Sequence, residues 1–99
     1  MYQLIFSPEA GKEFTEALLW YKEQKAGLED RLYNLVNITI KKIKANPETF
    51  GYSKKPYREA TVPIFPYSIV YVVNKHKRII YVSAIFHNSR NPKKKFRKL

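Results

Sequence analysis

Apolar residues recur along this chain with two different periods, and the change from one to the other divides it. Ala10, Phe14, Ala17, Leu18 and Tyr21 fall on one face of a helix. Leu28, Leu32, Leu35, Val36, Ile40 and Ile43 repeat the pattern and predict a second helix from about Leu28 to Ala45. The period then shortens toward two. Tyr57–Val62 reads as a strand with Arg58, Ala60 and Val62 on one face and Tyr57, Glu59 and Thr61 on the other. Tyr67–Val73 and Arg78–Phe86 are dense in β-branched and aromatic residues and read as two long strands. In the second, apolar residues occupy both faces, Ile80, Val82, Ala84 and Phe86 against Ile79, Tyr81 and Ile85, which predicts a central strand. Tyr2–Phe6 is a short first strand.

Boundary residues agree with these periods. Ser7 can accept a bond from an orphan helix N–H, and Pro8 suits the first helical position. Gly27 permits a left-handed turn between the helices. Glu29 and Asp30 in the first turn of the second helix, and Lys41, Lys42 and Lys44 in its last, complement the dipole, and Asn46-Pro47 ends it. Pro47–Pro56 is a predicted loop, Pro63 and Pro66 exclude a central strand between them, and Asn74–Lys77 is a hairpin turn. The order is β-α-α-β-β-β. The expected fold is α+β and two-layered: an antiparallel helical hairpin packed on a small, twisted, mostly antiparallel sheet. Residues 1–92 form one domain and residues 93–99 a basic C-terminal tail.

Charge changes the picture. The net charge is +11. Residues 1–50 carry seven Lys/Arg and seven Asp/Glu; residues 51–99 carry twelve Lys/Arg and a single acid, Glu59. The whole excess lies in the second half, which points to a surface that meets an anionic partner. With no cysteine and two histidines, neither a thiolate nor a histidine metal site is expected, and no cofactor is implied. The absence of cysteine agrees with a reducing cytoplasm. The N-terminus shows no basic segment followed by an apolar run, so no signal peptide is expected, and no apolar run is long enough for a membrane span.

Five segments carry a family resemblance: Phe6-Ser7-Pro8-Glu9-Ala10; Trp20–Gln24 with Gly27–Arg31; Ile43 through Pro47-Glu48; Phe65–Tyr71; and Ala84–Pro92. In this order and at this length the chain resembles the RelE/ParE superfamily of toxins from type II toxin–antitoxin systems, and most of all its ParE-like plasmid-stabilisation branch. The resemblance implies two helices on a small curved sheet and a growth-inhibiting toxin neutralised by a cognate antitoxin.

It also implies two modes of action. ParE-type toxins are associated with DNA gyrase, which they inhibit by binding. Lys54, Lys55, Arg78 and the tail residues Lys93, Lys94, Lys95, Arg97 and Lys98 would then meet the target. RelE-type members cleave mRNA on the ribosome, by attack of a ribose 2′-OH on the adjacent phosphate. That chemistry needs a proton acceptor, a proton donor and positive charge at phosphorus. Here His87 would be the acid or base, and Arg58 and Arg90 would hold phosphate oxygens. Ser68 stands where ribonuclease members carry an arginine, and Asn88 where some carry a tyrosine. His87 and Arg90 also have structural roles open to them, His87 at the strand end and Arg90 paired with an acid such as Glu59. A third reading is a non-toxic basic interaction module.

Overall fold

A computed structural model of the chain describes residues 1–89 and 95–97. Its elements are β1 (Gln3–Phe6), α1 (Pro8–Gln24), α2 (Leu28–Ala45), β2 (Tyr52–Lys54), β3 (Tyr57–Thr61), β4 (Tyr67–Asn74) and β5 (Ile79–His87). The strands form one sheet in the order β1-β5-β4-β3-β2, parallel between β1 and β5 and antiparallel elsewhere. The helical hairpin covers one face, so the two-layer α+β arrangement is the one expected. The predicted loop Pro47–Pro56 departs from expectation by containing β2. It pairs with β3 at the sheet edge through Tyr52 and Lys54, and all three of its residues are exposed, so no apolar alternation marked it.

Local signals act where the sequence placed them. The Ser7 side chain accepts the Ala10 N–H at 3.0 Å. Gly27 takes φ 93 between the helices. Ile64 lies between two prolines at φ 72, a conformation unfavourable for a β-branched residue. It is exposed, and the turn it makes drops Phe65 into the core, edge-on to Tyr21 with ring centroids 5.0 Å apart.

The main core lies between helices and sheet: Ala10, Ala17, Leu32, Val36 and Ile43 from the helices against Ile69, Tyr71, Ile80, Val82 and Ile85. A register shift in β5 corrects the expected strand faces. Val70 pairs with Ala84 but Tyr71 pairs with Val82, leaving Ser83 as the extra residue of a β-bulge. Before the bulge Ile80 and Val82 face the helices; after it Ile85 does, while Ala84 and Phe86 turn to the opposite face with Val70. Strict alternation had put Ile80, Val82, Ala84 and Phe86 together.

Tyr71 is fully buried, and its hydroxyl donates to the Pro47 carbonyl at 2.7 Å, tying the end of α2 to the sheet. Burial pushes its phenol up from 10.0 to about 12. Only the neutral form suits the folded protein, so stability falls as pH rises from 10 toward 12, where the unfolded chain releases this proton first. Replacing Tyr71 with Phe is expected to cost about 1–2 kcal/mol at neutral pH in urea unfolding, because the Pro47 carbonyl loses its donor. The deficit should narrow above pH 10.

Candidate functional site

Two of the residues expected to act together, Arg58 and His87, lie on different strands and at different levels of the sheet. Arg58 on β3 is opposite Tyr71 of β4, and His87 on β5 is opposite Tyr67. Those partners are four residues apart on β4. The Cα atoms of Arg58 and His87 are thus separated by roughly 13 Å along the strands and roughly 10 Å across them.

Arg58 is occupied. Its guanidinium donates to the carbonyls of Phe50 at 2.7 Å and Glu48 at 3.4 Å and stacks 4.0 Å from the centre of the Tyr52 ring. It braces the loop between α2 and β2. At the other end, Nδ1 of His87 accepts the Ser89 N–H at 3.2 Å and lies 2.7 Å from its hydroxyl. The neutral ring therefore carries its proton on Nε2, with its plane edge-on to Tyr67. Ser68 is 1% exposed and donates to Asn88 Oδ1 at 2.9 Å, so the two positions that depart from the ribonuclease pattern are bonded to each other.

The basic residues divide. Lys54 and Lys55 are exposed near the sheet edge, over the rings of Phe96 and Tyr52. Arg78, at φ 55 in the hairpin turn, lies over Tyr2, and its carbonyl accepts the Gln3 N–H that starts β1. Lys75 of the same turn pairs with Glu48. Lys95 pairs with Glu59 at 2.8 Å, and Arg97 forks onto Glu13 at 2.8 and 2.9 Å. Arg90, Lys93, Lys94 and Lys98 lie outside the described residues. Among the described residues no group of three or more metal-ligating side chains converges, and no helix is long and apolar enough to cross a membrane.

The sequence does not single out Glu13. Beyond Val82, where β1 stops pairing, its carboxylate accepts the Ile85 N–H at 3.1 Å as well as the Arg97 guanidinium. No local pattern signals that role, because Glu13 meets Ile85 only through the packing of α1 on β5. Beside it an open cleft of about 900 Å³ runs between α1 and the end of β5, floored by Ala17, Trp20, Tyr21, Pro66, Tyr67 and Ile85. Trp20 is 54% exposed there, outside the apolar face of α1 formed by Ala10, Phe14, Ala17, Leu18 and Tyr21.

These features define a small α+β protein whose helical hairpin leaves a cleft with an apolar floor on one side and whose Lys95 and Arg97 are folded back onto the sheet and α1. A solved structure titled "Chromosomal ParDE TA system from P. aeruginosa" has a similar fold. It is 14% identical, with a TM-score of 0.64, over 88% of this chain and 96% of that one. No curated protein sequence matches. The family described as ParE toxin of type II toxin-antitoxin system, parDE, matches residues 4–92, and the chain belongs to that family.

Burial pushes the Glu59 carboxyl up, but hydrogen bonds from Lys95 and Ser53 more than offset it and hold the group below its ordinary value of 4.5. A depressed carboxyl stabilises the fold above its unfolded value, and that contribution disappears as pH falls through the folded one. Glu59→Gln should cost about 1 kcal/mol at pH 7, with the gap to the parent chain closing below about pH 4, as read by urea unfolding.

Proposed function

We propose that this chain is a growth-inhibiting toxin that acts by binding, with DNA gyrase its target, and that a cognate antitoxin neutralises it in the cytoplasm. Membership of the ParE family supports the toxin reading. The observation that carries the binding mode is the disposition of Arg58 and His87. Phosphodiester cleavage needs a proton-transfer group and a cation at one phosphate. Here the two lie on different strands, with their partners four residues apart along β4, and Arg58 donates to loop carbonyls. The buried Ser68 brings no charge to the sheet.

The antitoxin is assigned to the cleft between α1 and β5. Trp20 is the kind of half-exposed aromatic that anchors interfaces, and its neighbours Tyr21, Pro66 and Tyr67 give an apolar floor. Glu9, Lys12 and Glu16 at the rim offer charge of both signs to an amphipathic segment.

Two experiments test this reading. Expression without antitoxin should arrest growth, with DNA supercoiling lost and mRNA intact. Ribosome-dependent mRNA cleavage that vanishes in His87→Ala would replace the binding mode with the nuclease. Trp20→Ala should weaken antitoxin binding by about 2 kcal/mol or more, roughly thirtyfold, while growth arrest persists. Unchanged affinity by calorimetry would move the antitoxin off this cleft.

A further inference from the structure

The segment Lys95-Phe96-Arg97 lies against the sheet face away from the helices, and several elements hold it. Phe96 packs on the cluster of Val70, Ala84 and Phe86, with its ring 5.1 Å from that of Tyr57. On one side of it Lys95 pairs with Glu59 of β3; on the other Arg97 forks onto Glu13 of α1. The backbone is held too, because the Tyr57 hydroxyl donates to the Arg97 carbonyl at 2.6 Å and the Ser83 hydroxyl to that of Lys95 at 3.4 Å. The sheet therefore offers an apolar floor with a carboxylate at each end. A cation–aromatic–cation triplet of the same chain occupies it.

These are residues that the charge distribution offers to an anionic partner. A guanidinium that donates its fork to a carboxylate cannot offer the same edge to a phosphate. We propose that Lys95-Phe96-Arg97 is an autoinhibited DNA-binding element, in which duplex DNA competes with Glu13 and Glu59 for Arg97 and Lys95. Phosphate oxygens replace the carboxylate oxygens on both cations, and Phe96 leaves its floor as they do. Release would expose Val70, Ala84 and Phe86, which are buried beneath the docked segment, so it stays docked until both cations meet phosphate at once. The paired side chains are only 19–24% exposed, so salt screens them less than it screens exposed contacts to DNA. This inference goes beyond the toxin reading and does not rest on the target being gyrase.

The test keeps every Lys and Arg in the full chain. Binding to a labelled duplex by fluorescence anisotropy is compared between Glu13→Gln/Glu59→Gln and a control, Glu23→Gln/Asp30→Asn, in which two exposed acids are removed for the same change in charge. The first variant should bind about tenfold tighter. Its slope of log K against log salt should match that of the control, because both bound states neutralise the same phosphates. Equal binding by the two variants, or none by either, overturns the proposal. A second chain keeps both carboxylates: Trp20→Phe/Phe96→Trp moves the single tryptophan onto the segment. Its emission should shift to the red when duplex is added. An unchanged emission, with or without binding, overturns the proposal even where the Gln variant does not fold.

Discussion

The bulge at Ser83 is the constraint on which the rest of the molecule depends. One extra residue in β5 reverses the faces of every side chain that follows it. Ile85 then joins the main core under α1, and Ala84 and Phe86 join Val70 on the opposite face. Without the bulge Ile85, instead of Ala84 and Phe86, would lie beside Val70, and Phe96 would lose the floor it packs on. Ser83 itself is buried, and its hydroxyl bonds the Val70 carbonyl at 3.2 Å and the Lys95 carbonyl across from it. The irregularity in the sheet is thus where the tail attaches.

The same stretch explains the importance of Glu13. β1 pairs with β5 only as far as Val82, so the edge of β5 continues past its neighbour. Unpaired strand edges are liabilities in water. Here Ser7 bonds the carbonyls of Val82 and Ser83, and Glu13 takes the Ile85 N–H. The start of α1 therefore does the work of the missing strand. A carboxylate fixed by a backbone donor is also a preorganised partner for Arg97, since little of its freedom remains to be lost. Helix start, strand edge and C-terminal segment are coupled through one side chain.

Charge and function separate on this scaffold. The second half of the chain holds the whole net excess, yet several of its cations are spent internally. Arg58 braces a loop, Lys75 pairs with Glu48, and Lys95 and Arg97 lie on the sheet. Lys54, Lys55 and Arg78 keep exposed positions near the sheet edge and the hairpin turn. A count of basic residues overstates what a partner meets in the resting protein. The ParE family match accounts for the fold and the toxin class, and the internal pairing decides how much charge is on offer.

The sequence by itself determined both helices, their caps, the three long strands and the α+β layering, because each rests on a period of two or of 3.6 or on a residue that acts on its immediate neighbours. It also exposed the charge asymmetry and the family. Tertiary structure alone decided the remainder. β2 forms because β3 offers it an edge, with no apolar alternation to announce it. The second half of β5 changes faces through a bulge that leaves the composition of the strand unaltered. Arg58 and His87 share a sheet but not a site, since register fixes their separation. Glu13 and Arg97 are 84 residues apart and meet only when α1 packs on β5 and the chain returns across the sheet. Contacts of that kind depend on where whole elements come to rest, and no local pattern in the chain encodes them.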